Sequence, residues 1–455
     1  MLSASTPRET LSVFDATAIV VGVVVGVGIF KTPSIVAANA DSEGMLILFW
    51  LLGGAASLIG ALCYAELTSA YPHAGGDYHY LTKAFGGFPA FLFVWSRTAV
   101  IQTGSIAMVA FLIGDYASEV LRLGAHSTSL YASLSIILLT AVNVAGIEQG
   151  KWMQRILVAV ILLGLLTVAG IGFFLADPQI APRSGSMIPG RAALGTAMIF
   201  VLLTYGGWNE AAFLSAEVRS TRRNMTRVLL YSIGAVTLIY LLVNLALVKS
   251  LGLSAMAGSD AVMADLMRHV FGPNGARFIS LLILPAALST MNAAIITGAR
   301  SSFALGQDHS LFRFLGRWHG RRGTPVNALL LQGAIALLLV VWGSGSRGGF
   351  VMMVEYTAPV FWFFLLLVGI SIFVLRRRYP ADARPFRVPL YPLTPLLFCA
   401  VCAYMLYASL SYTGMGALVG VGVLLAGLPL ILLQMKVSRQ YSSRNDHKRF
   451  KEANK

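Results

Sequence analysis

The chain of 455 residues is 57% hydrophobic and only 12% charged, with a formal net charge of +15. Soluble proteins carry about 25% charged residues, so an ordinary soluble enzyme or binding domain is excluded and an integral membrane protein is indicated. The apolar runs are continuous and about 20 residues long rather than alternating, which argues against a membrane barrel.

In chain order, the hydropathy predicts an all-α protein of twelve membrane-spanning helices. They fall at residues 11–38, 45–70, 88–120, 130–146, 153–176, 192–218, 228–248, 278–306, 326–342, 349–375, 394–412 and 417–435. The start, 1–10, is polar and weakly basic, and no small-residue cleavage site follows the first span, so that span is expected to stay in the membrane. With both termini inside, the inner segments and the span ends beside them hold 25 of the 34 Lys and Arg, and the outer segments hold 7. That asymmetry predicts cytoplasmic termini and a multi-pass protein of the cytoplasmic (inner or plasma) membrane. The positive charge therefore reflects topology, not nucleic-acid binding. The tail 436–455 holds seven cations without apolar periodicity, and is expected to be disordered and close to anionic lipid.

A single membrane domain, 11–435, is thus expected between a cytoplasmic N-terminus and a basic tail. Its longer loops are 249–277 outside, with a short surface helix expected at 260–269, and 307–325 and 376–393 inside. Spans one to five (about 11–176) and six to ten (about 192–375) would form two halves of opposite orientation, with spans eleven and twelve (about 394–435) outside the repeat. Cys63, Cys399 and Cys402 all fall inside spans. Cys399 and Cys402 have a redox spacing, but in an apolar helix they read as small packing residues, and no disulfide framework follows.

Two glycine interruptions carry the chemistry. The first span contains Gly22, Gly26, Gly28 and then Lys31-Thr32-Pro33. Helix packing explains Gly22 and Gly26, but not Gly28 or the polar residues after it. An unwound stretch at Gly26–Gly28 would expose N–H groups at the start of an outer half-helix, which suits a carboxylate by up to roughly 2 kcal/mol when partly buried. The sixth span contains Leu203-Thr204-Tyr205-Gly206-Gly207-Trp208-Asn209-Glu210. Adjacent glycines there would free carbonyls from Leu202 to Gly206 as acceptors for an ammonium group. Backbone without helical pairing survives in a membrane only where it lines a cavity, and a matched pair of such breaks points to a substrate site. Donors on one break and acceptors on the other describe a site for a zwitterion, with an α-amino acid the obvious occupant.

Gly26-Val27-Gly28-Ile29-Phe30 resembles the G-x-G-I-F signature of the amino acid–polyamine–organocation (APC) transporters, and Tyr205-Gly206-Gly207-Trp208-Asn209 resembles their Y-x-G-W-N break. Tyr64-Ala65-Glu66-Leu67 with Pro72 to Tyr78, Ser289-Thr290-Met291-Asn292 to Arg300, and Arg384 to Pro392 are also similar to that superfamily, and to its L-type amino acid transporter group. The likeness runs from about Leu11 to about Leu433. It implies a LeuT-like core of five plus five inverted-repeat helices, with helices one and six broken, and alternating access. By position it implies a carboxylate site on the backbone of Val27 and Gly28 beside Gly26, and an ammonium site on the carbonyls of Val24, Leu203 and Gly206. Tyr205, Trp208 and Asn209 would flank the site. Leu203 stands where the large-neutral-amino-acid exchangers have an aromatic gate. Tyr205 or Trp208 could take over that gate, or serve as packing between helices.

The chain departs from its relatives elsewhere. Several carry a Lys in the fifth span about seven residues after a Gln; here that count from Gln154 lands on Ile161. Ser289 and Thr290 sit where sodium-coupled members complete a cation site, and hard oxygen ligands suit sodium. The same hydroxyls can instead bond back to their own helix. The loop after the third span has no Cys, so no disulfide-linked partner subunit is expected. Ionisable groups in or at the ends of spans are Glu66, Arg97, Asp115, Glu210, Glu217 and Glu355, and central ones must face protein or water. Glu66 and Glu217 are expected to pair with Arg219, Arg222 or Lys83. Glu210 is open to three readings: a protonatable coupling residue, a contact to a basic substrate side chain, or a structural hydrogen bond.

No catalytic constellation, metal spacing among the seven His, dinucleotide fingerprint in strand context or P-loop lysine is present. An enzyme is not expected, nor is a cofactor beyond a coupling Na+ or H+. The expected function is secondary transport of an amino acid, as a symporter or exchanger within the lipid bilayer. A polyamine or organocation carrier of the same fold and a non-transporting amino acid sensor stand as alternatives.

Overall fold

The structure, a computed structural model, describes residues 12–73, 75–146, 151–176, 191–214, 218–319, 323–345, 348–412, 414–431 and 433. The expected N-terminal segment 1–10, the basic tail 436–455 and Glu217 lie outside the described residues. Helices account for the fold; the β contact found among the described residues is an isolated bridge between His319 and Thr324.

The first expected span is three pieces: α1 (Val13–Val24), a 3-10 turn (Val27–Phe30) and α2 (Thr32–Ala38). Ser12 starts α1 with a capping box, its hydroxyl accepting the Asp15 N–H and the Asp15 carboxylate accepting the Ser12 N–H. After α3 (Glu43–Ala70) and a short α4 (Gly76–Phe85), the third span runs from α5 (Gly87–Ser96) through a π turn (Arg97–Ile101) into α6 (Gln102–Val120). This interruption is invisible in an unbroken apolar run, because it is an extra residue per turn rather than a breaker.

Then come α7 (Ser127–Ala145), α8 (Lys151–Phe174) and α9 (Arg191–Thr204), followed by a 3-10 turn (Trp208–Glu210) and α10 (Ala211–Leu214). Helix α11 (Thr221–Ala257) outruns the expected 228–248 and kinks at Gly252, where φ is 72°. The expected surface helix forms the first part of α12 (Val262–Asp308), which bends at Gly272, φ 68°, into the eighth span. The chain closes with α13 (Val326–Ser344), α14 (Gly349–Arg378), α15 (Leu393–Ser411) and α16 (Met415–Ile431).

Among the described residues, eight helices are long and apolar enough to cross a membrane, and they coincide with expected spans two, three, four and seven to eleven. Spans one and six fall short of that length because they are broken. Helix α11 packs on α3, α12 on α6, α6 on α7 and α14 on α15. Small residues permit the close approaches: a Cβ on Gly54 of α3 would lie 2.7 Å from Cγ2 of Thr237 on α11.

Glu66 corrects one expectation. The Arg222 side chain lies outside the described residues; Glu66 pairs with neither Arg219 nor Lys83 but with Arg376 at the end of α14, whose Nε donates to Oε1 at 2.7 Å. Arg384 stands 3.7 Å away, and the Val388 N–H donates to Oε2 at 2.8 Å. The partners are some three hundred residues distant, and helix packing, not local charge density, brings them to this buried carboxylate. Lys83 instead lies over the Tyr71 ring and pairs with Asp382.

Candidate functional site

Both breaks are built by local backbone. After Val24 the Gly26 N–H turns back to the Val24 carbonyl at 2.7 Å, and Val25 leaves helical geometry at φ −74°, ψ 60°. Val27 and Gly28 head the following turn, so their N–H groups have no acceptor within it. Pro33 sits in the first turn of α2, where its missing N–H costs no hydrogen bond. In the sixth span the Gly206 N–H bonds the Leu203 carbonyl at 3.0 Å, and Gly207 takes φ 102°, the left-handed region that favours glycine. A Cβ on Gly206 would stand 2.8 Å from the Leu203 oxygen, so the pair of glycines is a steric requirement.

The two breaks meet. A Cβ on Gly28 would lie 2.9 Å from Oγ1 of Thr204, and the hydroxyls of Thr32 and Thr204 are 2.7 Å apart. Tyr240 of α11 closes the junction: its buried hydroxyl lies 2.9 Å from the Val24 carbonyl and 3.0 Å from the Thr204 carbonyl. Thr32, Thr204 and Tyr240 were missed by reading the sequence. Thr204 sits inside the motif itself, but no sequence signal singles out a Tyr in the middle of α11.

The remaining expected residues divide. Val24, Gly26, Val27, Gly28, Leu203 and Gly206 lie on the two breaks, though the Val24 carbonyl already receives Gly26 N–H and the Tyr240 hydroxyl. Tyr205 is fully buried, packs on Trp50 and Tyr240, and donates to the Trp50 carbonyl at 3.1 Å. Trp208 likewise packs between helices, edge-on to Tyr64 at 5.1 Å and near Phe398. Asn209 accepts the Gly207 N–H at 3.3 Å. In the eighth span Thr290 donates to Ala286 of its own helix at 3.1 Å, and Ser289 is half-buried. Ile161 is buried.

Ionic clusters flank the junction on either side. Toward the α2 end, Lys31 Nζ donates to Asp115 Oδ2 at 2.9 Å, to the Asp260 carbonyl at 2.8 Å and to Asp260 Oδ1 at 3.1 Å. These residues border a cavity of about 400 Å³ also lined by Ser34, Phe111, Thr128 and Phe350. Toward the α4 end, Glu210 is held by a bidentate pair with Arg97 of the π turn, at 3.1 and 3.0 Å, and Arg97 Nε donates to Ser301 at 3.2 Å. The π turn thus delivers an arginine to the carboxylate that follows the sixth-span break.

Several membrane-crossing helices, and two interrupted ones joined at their breaks by backbone and hydroxyl groups, define a multi-pass membrane transport protein. The sequence comparisons narrow this: residues 11–433 match the model of the amino acid permease family, and the chain belongs to that family. It is a family of transporters, not enzymes. The chain is 29% identical over 444 residues to the mouse (Mus musculus) Asc-type amino acid transporter 1, covering 94% of this chain and 81% of the relative. It is 26% identical over 416 residues to the mouse b(0,+)-type amino acid transporter 1, covering 90% and 84%. It is 28% identical over 443 residues to the mouse large neutral amino acids transporter small subunit 2, covering 94% and 81%.

Proposed function

We propose that this chain carries a neutral α-amino acid across a cytoplasmic membrane by alternating access, as a symporter or exchanger. The observation that supports this most directly is the contact of Gly28 with Thr204, which brings the N–H groups of Val27 and Gly28, without acceptors in their own turn, close to the carbonyl-rich end of α9. A carboxylate would sit on the first and an ammonium on the second, around Leu203 and Gly206. The reading includes twelve spans, an inverted repeat of five plus five, both termini in the cytoplasm and the α4 end facing inward. The three relatives are each named as amino acid transporters, which agrees with a zwitterionic substrate.

Neutral substrates are favoured over polyamines and other cations by the engagement of Glu210. Both of its oxygens are taken by Arg97, so it offers no free charge to a basic side chain. The lining at Val24, Val27 and Leu203 is apolar as well. The deciding experiment uses vesicles reconstituted with the purified protein and loaded with unlabelled amino acids. Uptake of a labelled amino acid panel is followed with and without sodium or a pH gradient. Saturable uptake of neutral amino acids is expected. Uptake of polyamines alone would favour the cation-carrier alternative, and binding without uptake would indicate a sensor.

A further inference from the structure

On the α4 side of the sixth-span break, Asp77 is buried, and its Oδ1 closes no hydrogen bond among the described residues. Four groups act on it from three elements: Tyr64 of α3, Arg97 of the π turn, and Asn209 and Glu210 of the 3-10 turn. Arg97 is already committed to both oxygens of Glu210 and to Ser301. One arginine therefore faces two carboxyls, and only one of them can be its full partner. An ionised Asp77 would leave the cluster with a net negative charge away from water, which is unfavourable without a dedicated counter-ion.

The other ionisable groups nearby are occupied elsewhere. On α4 itself, Tyr80 lies one turn on, His79 stacks on His73 and Lys83 covers Tyr71. Burial, with His73 and Lys83 beside it, pushes the His79 imidazole down to about 4, so it stays neutral above pH 6. On α14, which also packs on α4, Arg376 is bound to Glu66, Glu355 lies against Gly414, and the Tyr356 hydroxyl donates to Ala99.

We propose that Asp77 is a proton-binding positioning residue of the inner gate. It holds a proton while the Trp208–Glu210 turn and α10 are packed against α4 and the π turn, and gives it to cytoplasmic water when that half-helix swings away. Packed, the neutral carboxyl suits its buried place. Once water enters, the same carboxyl returns toward the ordinary Asp range near 3.9 and ionises. Gate closure at this end thereby takes up a proton, and acid favours the closed gate. The inference rests on the alternating-access reading and on the inward orientation of the α4 end.

Burial pushes the Asp77 carboxyl up to about 7 in the packed state, with Glu210 raising it further and Tyr64, Arg97 and Asn209 opposing. By linkage, a folded-gate value raised above the open-gate value means that closure is favoured below it and loses that support as pH rises through about 7. Between pH 6 and pH 8 the closed-to-open ratio falls about tenfold.

The test is exchange of a labelled amino acid in vesicles reconstituted with the full chain, with the same pH on both sides, from pH 5 to 8.5. Between pH 6 and pH 8 the parent should change rate by up to about tenfold, with the midpoint of its levelling-off near pH 7. Asp77→Asn should lose that transition. Glu210→Gln releases Arg97 to pair with Asp77, so its midpoint should move acidward by at least one pH unit, a shift that a purely structural role would not produce. An Asp77→Asn profile equal to the parent's overturns the proposal, as does a Glu210→Gln midpoint that stays put or moves upward. If Asp77→Asn does not fold, the Glu210→Gln midpoint decides alone. Absence of exchange by the parent at every pH would instead overturn the transport reading.

Discussion

Gly28 and Thr204 touch across the two helix breaks so tightly that a single added carbon on Gly28 would stand 2.9 Å from the threonine hydroxyl oxygen and 3.1 Å from its methyl group. Both neighbours belong to a β-branched side chain that is itself tied to Phe200 and Thr32, so it yields little. Overpacking of this kind costs about 1–3 kcal/mol. Gly28→Ala should therefore separate the breaks and lower uptake roughly tenfold to a hundredfold. Gly234→Ala, where the space is open, should leave uptake near the parent level. Equal uptake by both variants would show that the junction is not the transport site.

Tyr240 ties the ends of α1 and α9 together through one hydroxyl. Tyr240→Phe keeps the ring against Trp50 and Tyr205 but leaves the Thr204 carbonyl short of a donor. A buried acceptor left unpaired costs about 1–3 kcal/mol. The melting temperature of the purified protein should fall, with helical content unchanged. An unaltered melting curve would mean that the hydroxyl contributes nothing to holding the breaks.

The Lys31 cluster contains two unequal pairs. Asp115 is mostly buried, whereas the Asp260 side chain is 90% exposed. Exposed pairs contribute about 0–1 kcal/mol, so Asp260→Asn should barely alter stability. Lys31→Met strands the Asp115 carboxylate and should be strongly destabilising, with Lys31→Met/Asp115→Asn recovering much of the loss. A double-mutant cycle should give a coupling of about 0.5–3 kcal/mol, well above that for Lys31 with Asp260.

Arg376 and its neighbour Arg377 make a sharper contrast. Arg376 satisfies the buried Glu66, while Arg377 is exposed. Removing one partner of a buried pair costs about 3–5 kcal/mol; with Arg384 still at 3.7 Å, the lower end is expected for Arg376→Ala. Arg377→Ala should match the parent in thermal unfolding.

Sodium offers a simple control. The Thr290 hydroxyl donates within its own helix, an arrangement that requires no cation. Replacing sodium with choline should leave uptake unchanged, and a sodium-dependent uptake lost in Thr290→Val would reverse that expectation.

Much of the fold was legible residue by residue. Membrane helices announce themselves through unbroken apolar length, and the expected spans two, three, four and seven to eleven coincide with helices of that kind. The breaks were legible because Gly-x-Gly and Gly-Gly are visible departures from helix-forming composition. Gly207 at φ 102° and the crowded Gly206 show the physical need for them. The π turn at Arg97–Ile101 left no such mark, since its residues suit a helix of either winding. Pairing was the least legible feature. Glu66 was assigned to nearby basic loops, but its arginines arrive from α14 and the loop beyond it.

By itself, the order of residues determined that this chain enters a membrane, where its helices give way and which family it belongs to. The first two rest on local hydrophobicity and backbone freedom, and the third on the likeness of its motifs to those of the family. Only the folded arrangement decided which side chains meet. Tyr240 clasps both breaks, Arg97 neutralises Glu210, and Asp77 is left beside them with an unpaired oxygen. Such meetings depend on how helices distant in sequence pack, and a carboxylate has no way of recording in its own neighbourhood which distant arginine will reach it.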